Sequence, residues 1–482
     1  MTRILLAALC FCAVAFAAGA VTPTVDQSLS MKSVSDPQIS PDGRFVAYQV
    51  QEANWDDDEF VQQIWIAVTA TGERYQLTSG KKSSTDAHWS PDSRRLAFAS
   101  DRDGKRQIYA IAPTGGEAAQ LTTEENGVGQ FAWSPDSGAV AFMSSGPEAK
   151  ARKDRKEKYG EFSIIGGDYA MNHLWRLKIP AEIPSNVKQL PKPEALSKGE
   201  DFSITGFSWS PDGSRIAFSA TRDPDLESTA TEQVYVLDLS DLHVRKLDTY
   251  SGPNRNPQWS RGGKQIAFET YGGQTYFYFM NRHIAVVAAD GGKPRIVTPS
   301  FDEDTNLVEW GEDGIYFSAR QKTARHLFHL DPDTGAMRRI TQPDALLMGG
   351  VSFTKDHLTI GFVAGAPNQF PEVFVSPTSD FTPKKLTDMA AQWEGFQLGA
   401  REAVTWKSVD GTSIEGILIK PADYDASRKY PLLVVIHGGP TGVDTPVLSA
   451  DRYYPVERFA AKGALILTGF AADCHHDWNI AR

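Results

Sequence analysis

The chain has 482 residues, of which 41% are hydrophobic and 23% are charged. These proportions are ordinary for a folded protein, and the length allows two or more domains, each with its own core. There are 49 basic and 60 acidic residues, which leaves a formal net charge of −11. This acidic balance argues against nucleic acid as a partner, because binding to phosphate groups needs a basic surface.

The first twenty residues have the pattern of an export signal. Arg3 supplies a positive start, residues 4–17 are almost all apolar, and residues 18–20 form a small-x-small cleavage site. The apolar run is short of the roughly 20 residues that span a bilayer, which favours a cleaved signal over an uncleaved anchor. We therefore predict a signal peptide over residues 1–20, an exported protein in the periplasm or outside the cell, and no membrane association after cleavage. Only Cys474 would then remain, so no intrachain disulfide could form.

A repeat with a period of roughly 43 to 51 residues occupies most of the remaining chain. Each copy combines an aromatic residue, a Ser-Pro-Asp turn and an apolar strand. Proline fixes φ in the turn, and Asp and Gly favour the tight backbone that follows. The seven copies begin at Ser40, Trp89, Trp133, Trp209, Trp259, Trp310 and Phe353, and the last three are degenerate. Further strand-like runs give four strands per unit, which is typical of a propeller blade, so we predict a mainly β fold with a seven-bladed β-propeller over residues 21–400.

The interval between the third and fourth copies is long and contains a basic run at residues 150–158. This run could be a binding patch, but its interleaved acids favour a solvated loop or helix. The segment Asn172–Leu177 alternates as a strand and fits the third strand of that blade. We therefore predict that the insertion decorates one blade and does not form a separate domain.

After the seventh copy the pattern changes to that of an α/β domain. Asp410-Gly411 forms a hairpin-type turn, and residues 432–436 are apolar throughout, as expected for a strand buried in a parallel sheet. A glycine loop at residues 437–440, a helix from about Leu448 to Lys462 and a strand at residues 464–467 follow. This order predicts the start of an incomplete α/β domain over residues 401–482.

The combination of these motifs resembles the prolyl oligopeptidase family of serine peptidases, above all its acylaminoacyl-peptidase and dipeptidyl-peptidase branches. The motifs are the Trp-Ser-Pro-Asp-Gly repeats, then Asp410-Gly411, Ile414-Glu415-Gly416, Lys420-Pro421, Tyr430-Pro431 and His437-Gly438-Gly439-Pro440. The resemblance implies a propeller that covers an α/β-hydrolase and limits access to short peptides. It further implies peptide hydrolysis through an acyl-enzyme, with no cofactor and no metal.

In this family the catalytic serine lies on a G-x-S-x-G turn, with Asp and His further along the domain. The sequence contains no such pattern, and its nearest approach, at residues 350–354, lacks the second glycine. We therefore assign no catalytic residue and expect the chain to be inactive alone. The family pattern is lost at Thr468, and residues 468–482 form an atypical tail. A frameshift or truncation near this point would explain the loss, and resequencing of the coding DNA tests it.

Four other groups of residues were weighed as sites. His437, Gly438 and Gly439 are candidates for an oxyanion loop, as the corresponding loop is in esterases. Residues 474–477 are of metal-ligand types but fit a disordered tail better, since a metal site needs ligands held by a fold. His326 and His329 would lie on opposite faces of one strand. The aromatic residues 271–279 could line a peptide channel, although propeller core is the favoured interpretation.

Two functions remain open. The first is an exported serine peptidase that cleaves short peptides. The alternative is a non-catalytic periplasmic propeller that binds a peptide or protein on one face. An unfinished parallel sheet after residue 401 argues against the alternative, because unpaired sheet edges promote aggregation. The oligomeric state and the substrate preference are not predicted.

Overall fold

A computed structural model describes residues 21–145, 150–162, 164, 169–341, 346–436, 444–449 and 454–472. The predicted signal peptide lies outside these residues. The fold is mainly β, with one short helix, α1 (Val25–Leu29), before the first strand. Among the described residues, no helix is long and apolar enough to cross a membrane.

The described chain forms a β-propeller of four-stranded antiparallel sheets, numbered here 1 to 7, each built from four consecutive strands. Sheets 1 and 2 contain β1 (Ser33–Ile39), β2 (Phe45–Asn54), β3 (Glu59–Val68), β4 (Arg74–Gln76), β5 (Ser84–Trp89), β6 (Leu96–Ser100), β7 (Gln107–Ile111) and β8 (Ala119–Gln120). Sheet 3 contains β9 (Phe131–Trp133), β10 (Ala139–Ser144), β11 (His173–Lys178) and β12 (Glu194–Ala195), with the helix α2 (Lys150–Tyr159) between β10 and β11. Sheets 4 and 5 contain β13 (Ser203–Trp209), β14 (Arg215–Thr221), β15 (Gln233–Asp238), β16 (Val244–Lys246), β17 (Asn254–Trp259), β18 (Gln265–Thr270), β19 (His283–Ala288) and β20 (Arg295–Ile296). Sheets 6 and 7 contain β21 (Thr305–Trp310), β22 (Ile315–Gln321), β23 (Ala324–Leu330), β24 (Met337–Arg339), β25 (Leu347–Phe353), β26 (Thr359–Gly365), β27 (Glu372–Pro377) and β28 (Lys384–Lys385).

The first and seventh sheets pack against each other. The backbone N–H of Ile39 donates to Ser352 Oγ at 2.7 Å, and that of Lys355 donates to the carbonyl of Pro41 at 3.1 Å. Val46 and Val373 from the two sheets share one buried cluster. Sheet 7 is therefore followed by sheet 1 around the propeller.

The tryptophan of the repeat joins each of sheets 2 to 5 to the sheet before it. In four copies its indole Nε1–H donates to a backbone carbonyl on the first strand of the preceding sheet. The pairs are Trp89 to Gln38 at 2.8 Å, Trp133 to His88 at 3.1 Å, Trp209 to Ala132 at 3.3 Å and Trp259 to Ser208 at 3.3 Å. The aromatic residue recurs because one ring both fills the space between two sheets and satisfies a carbonyl there.

The Ser-Pro-Asp turns form a second recurring network. In the copy at sheet 4, the Ser210 hydroxyl donates to Asp212 Oδ1 at 2.6 Å, and the backbone N–H of Ser214 donates to the same oxygen at 3.0 Å. These bonds lower the pKa of Asp212 to about 2, and the bond from Ser210 has the largest effect. The carboxylate therefore holds the tight turn together.

The insertion in sheet 3 agrees with its sequence pattern. The basic run forms α2, which has no buried residue, so the prediction of a solvated segment is confirmed. The strand His173–Lys178 is third in its sheet, between β10 and β12, as its alternation indicated.

An eighth sheet follows the propeller and contains β29 (Ala400–Lys407), β30 (Ser413–Lys420), β31 (Leu432–Val435) and β32 (Leu465–Ala472) in the order β29-β30-β32-β31. Gly411 has a φ of 88° in the β29–β30 turn, as the hairpin prediction requires. Only the β31–β32 pair is parallel. This mixed sheet differs from every sheet of the propeller.

Three expectations for this region were wrong in detail. The helix α3 (Val456–Ala461) is shorter than the predicted span from Leu448, since Leu448 and Ser449 are not helical and residues 450–453 are outside the described part. Strand β31 is at an edge of the sheet, and Leu432 and Val434 are exposed on one face because the cluster with α3 packs on the other face, that of Leu433 and Val435. Strand β32 continues beyond Leu467, since its later residues pair with β30.

Candidate functional site

A cavity of about 250 Å³ lies where the propeller meets the segment that connects β31 to α3. Arg320 and Arg325 of sheet 6 form one side, Met348 and Val363 of sheet 7 form another, and Val447 belongs to the connecting segment. The cavity is therefore bounded by both parts of the chain. Clefts between domains are common places for ligand sites.

The hairpin between β22 and β23 supplies the polar side of the cavity. Its two-residue turn contains Lys322, which has a φ of 56°, and Thr323, which is buried. The backbone N–H and the hydroxyl of Thr323 donate to Glu415 Oε1 at 3.1 and 2.7 Å. Since Glu415 belongs to β30, these two bonds hold the hairpin tip of sheet 6 against the eighth sheet.

Arg320 and Arg325 are directly opposite each other across this hairpin. Residues that face each other on paired strands have side chains on the same face of the sheet, and both arginines line the cavity. Within the described part of the chain, neither guanidinium has a carboxylate within ion-pair distance. Burial, and then the positive charge of Arg320, lower the pKa of Arg325. The cavity wall is therefore electropositive.

The opposite wall depends on a close approach to Gly365. A Cβ atom at this position would lie only 2.3 Å from Val447 Cγ1, so a larger residue would displace the connecting segment. Backbone bonds fix that segment along the loop after β26, from Asn368 to the carbonyl of Pro446 at 3.1 Å and from Leu448 to that of Gln369 at 3.0 Å. The shape of the cavity is thus set by main-chain contacts.

A buried ion pair fixes α3 to the start of the eighth sheet. Arg401 on β29 donates to Glu457 on α3, and each side chain is 3% exposed. Glu457 also accepts from the backbone N–H of Gly399 at 3.0 Å, and Arg401 Nη1 donates to the Gly399 carbonyl at 3.2 Å. The Asn368 amide donates to the Arg401 carbonyl at 3.1 Å, which connects this pair to sheet 7.

The site residues proposed from sequence have different outcomes. The oxyanion candidates His437, Gly438 and Gly439 lie outside the described residues, as do residues 474–477. His326 and His329 are on opposite faces of β23, as predicted: His326 is buried beside Thr341, and His329 contacts Asp313. Among the described residues, no cluster of three or more His, Cys, Asp or Glu is placed to hold a metal ion.

The aromatic segment at residues 271–279 is only partly core. Phe277 is buried, but Tyr276, Tyr278 and Phe279 are 70, 60 and 64% exposed. The core interpretation is therefore correct for Phe277 and wrong for these three. Phe277–Phe279 form a turn of 3-10 helix between β18 and β19, and Tyr276 directly precedes it. The alternation of a β-strand does not predict burial in such a turn.

The arginine pair was not among the residues singled out from the sequence. A signal for it exists, because Arg320 and Arg325 are spaced symmetrically about the turn at Lys322-Thr323. A two-residue hairpin turn makes such residues cross-strand partners. The cavity itself needs the eighth sheet, which no local pattern could place.

Comparison with known proteins finds relatives that match most of this chain. The family profile of the TolB beta propeller domain matches residues 24–165. Dipeptidyl-peptidase 5 of Porphyromonas gingivalis is 26% identical over 448 residues, which cover 87% of this chain and 63% of that protein. A Bacillus subtilis protein named uncharacterized peptidase YuxL is 47% identical over 81 residues, which cover 17% of this chain and 12% of that protein. The chain is related to the peptidases of the prolyl oligopeptidase family.

Solved structures show the same fold at lower identity. Acylaminoacyl peptidase of Pyrococcus horikoshii superposes with a TM-score of 0.69 at 17% identity, over 92% of this chain and 66% of that one. A puromycin-hydrolyzing peptidase of Mycobacterium tuberculosis superposes with a TM-score of 0.70 at 15% identity, over 94% and 68%. The chain spans less than two thirds of the length of the Porphyromonas relative.

Proposed function

We propose that this chain forms the peptide-admitting part of a serine peptidase of the prolyl oligopeptidase type, which cleaves short peptides. In this proposal the seven sheets are the seven blades of the propeller, and residues 401–482 are the first part of an α/β-hydrolase domain. The observation that carries it is the cavity between sheets 6 and 7 and the connecting segment, because both parts of the chain build it. The names of the related proteins, dipeptidyl-peptidase 5 among them, supply the substrate class.

Peptide hydrolysis by such an enzyme needs a serine nucleophile, a histidine base and an orienting carboxylate. No G-x-S-x-G pattern is present in the 482 residues, so none of these roles is assigned. The loop His437-Gly438-Gly439 would direct backbone N–H groups at a developing oxyanion. We therefore propose that these residues bind a peptide but do not hydrolyse it by themselves.

We further propose export with cleavage after Ala20. The fold supports this position, because Val21 already pairs with the segment after the propeller: its N–H donates to the Gly395 carbonyl at 2.8 Å, and its carbonyl accepts from Gln397 at 2.9 Å. Mass spectrometry of the protein isolated from the periplasm or medium should find Val21 as the first residue. A first residue of Met1 would contradict cleavage.

The binding proposal is tested with the purified chain and a set of short peptides, by calorimetry. Thr445 is an exposed residue on the cavity wall, so Thr445→Trp should narrow the cavity and weaken binding. Thr114 is equally exposed in a turn of sheet 2, and Thr114→Trp is the matched control. Equal affinity of both variants would place binding elsewhere. Peptide turnover that a serine-directed reagent abolishes would contradict the proposed inactivity.

A further inference from the structure

We propose that Arg320 and Arg325 form an anion subsite of this cavity, and that the subsite binds a carboxylate of the peptide. This inference rests on the proposed function, because it takes the ligand to be a peptide. The carboxylate can belong to the free C-terminus of the peptide or to an acidic side chain. The two sources share one chemistry and are separated by the experiment below.

Without a ligand, Arg320 and Arg325 repel each other across the hairpin. Cross-strand partners with the same charge destabilise a sheet, and this pair occupies facing positions on β22 and β23. Lys322 at the tip of the same hairpin also borders the cavity and adds a third positive charge. In the absence of a ligand, a neutral residue at either position would make the sheet more stable.

Several other arginines with little exposed surface in this chain have an acidic partner. Arg282 on sheet 5 is 3.2 Å from Glu269, Arg255 is 3.6 Å from Glu232, and Arg401 pairs with Glu457. Each of these guanidinium groups has an acidic partner within the protein. Arg320 and Arg325 have none in the described part of the chain, and no Asp or Glu is among the residues that line the cavity.

Glu415 is the acid that contacts this hairpin, and it is already engaged. Its Oε1 accepts both hydrogen bonds from Thr323. Those bonds hold the tip of the hairpin against the eighth sheet. Among the described residues no carboxylate is therefore left to pair with the two arginines, and the subsite is open to an anionic ligand.

The positively charged lining of the cavity suits a carboxylate ligand. A guanidinium presents a rigid, planar set of donors that fits the two oxygens of a carboxylate. The remaining walls include the apolar side chains of Met348, Val363 and Val447, which limit the water that competes for those donors. A volume of about 250 Å³ is small for a ligand pocket and suits one end or one side chain of a peptide. A bound anion would also offset the repulsion from Arg320, which lowers the pKa of Arg325 in addition to the larger effect of burial.

The test uses the full chain and its variants Arg320→Gln, Arg325→Gln and Arg320→Gln/Arg325→Gln. Arg338→Gln is the control, since Arg338 is an exposed residue on the outer strand β24 of the same sheet and does not border the cavity. Each protein is titrated with Ala-Ala-Phe, with its C-terminal amide, and with amidated peptides that contain one Glu or one Gln. Loss of a charge-assisted bond should raise Kd by about tenfold to a hundredfold.

Two outcomes support the subsite and identify its ligand. If the free C-terminus is recognised, amidation and either cavity substitution weaken binding, and they do not weaken it further in combination. If an acidic side chain is recognised, the Glu peptide binds more tightly than the Gln peptide, and the double variant removes the difference. The control should behave as the parent chain in both cases. Thermal unfolding checks the fold, and each single variant should melt no lower than the parent, because it removes a repulsion.

The failures of the two proposals can be distinguished. If peptides bind with the same affinity whatever their charge and whichever arginine is replaced, the anion subsite is wrong and the peptide-binding proposal stands. If no peptide binds, but glutarate raises the melting temperature of the parent and not of the double variant, the subsite stands and the proposed substrate class is wrong. If neither a peptide nor glutarate has an effect, both proposals are wrong.

Discussion

The propeller and the eighth sheet bury their apolar residues to very different degrees. In sheets 2 to 7 the second strand carries a phenylalanine with no exposed surface: Phe98, Phe142, Phe218, Phe268, Phe317 and Phe362. The eighth sheet buries Ile417, Ile419 and Ile466 against α3, while Leu432 and Val434 remain exposed on β31. A propeller sheet has a neighbouring sheet on each face, whereas one six-residue helix covers the eighth sheet on one face. The stability of the described chain should therefore be concentrated in the propeller.

The largest expected effect is a core deletion in the propeller compared with a deletion in the eighth sheet. Phe218→Ala removes a fully buried ring that stacks on Tyr235 and should lower the free energy of unfolding by about 3–5 kcal/mol. Leu432→Ala removes an exposed side chain and should change it by less than about 0.5 kcal/mol. Chemical denaturation measures both. Similar losses would show that burial does not divide the chain in this way.

The second effect concerns the attachment of the eighth sheet. Glu457→Gln leaves Arg401 buried without a counter-charge, and breaking such a pair costs about 3–5 kcal/mol locally. Hydrogen exchange should therefore become faster in β29 to β32 and in α3, while sheets 2 to 5 keep their protection. The control Asp388→Asn breaks the exposed pair with Lys385 and should change neither region. Faster exchange throughout the chain would mean that the two parts unfold as one unit.

The third effect compares regular and degenerate copies of the repeat. Trp133→Phe deletes the donor to the His88 carbonyl, and a buried acceptor left without its partner costs about 1–3 kcal/mol. Trp310 of a degenerate copy has no such indole hydrogen bond within the described structure, so Trp310→Phe should cost less. The difference between the two variants, measured as a difference in free energy of unfolding, isolates the contribution of the hydrogen bond. Equal losses would assign the role of the tryptophan to packing alone.

The propeller could be predicted from the sequence more fully than the eighth sheet. The repeat places a turn, a strand and a buried aromatic residue at fixed spacing, so the propeller strands follow from local chemistry. The exposure of Leu432 and Val434 on β31 depends on which face of the sheet is covered, and the length of α3 depends on its packing, neither of which a local pattern states. The cavity needs three parts of the chain that are distant in sequence, among them Arg320, Met348 and Val447. Its arginine pair could have been predicted from hairpin register, but its border with the connecting segment could not.

The smallest expected effect is the contribution of a single turn to stability at acid pH. The pKa of Asp212 is lowered to about 2 by the hydrogen bonds from Ser210 and Ser214. A carboxyl group whose pKa is lower in the folded state stabilises the fold above its unfolded pKa of 3.8, and this stabilisation is lost as the pH falls towards about 2. Asp212→Asn should therefore lower the melting temperature at neutral pH and have progressively less effect between about pH 4 and pH 2. Because the turn is well exposed to solvent, the effect should stay below about 1 kcal/mol.

A matched control separates this turn from the general loss of negative charge in acid. Glu117→Gln removes an exposed acid from a loop of sheet 2 and should leave the pH dependence unchanged. If both variants shift the acid limb of the stability curve equally, net charge and not the turn explains it. If Asp212→Asn alone flattens that limb, the Ser-Pro-Asp carboxylates of sheets 1 to 4 and their counterpart Asp356 share the mechanism, because each accepts a hydroxyl hydrogen bond at 2.5 to 2.7 Å. Sheets 5 and 6, whose copies have lost this pairing, would then be the part of the propeller least sensitive to acid.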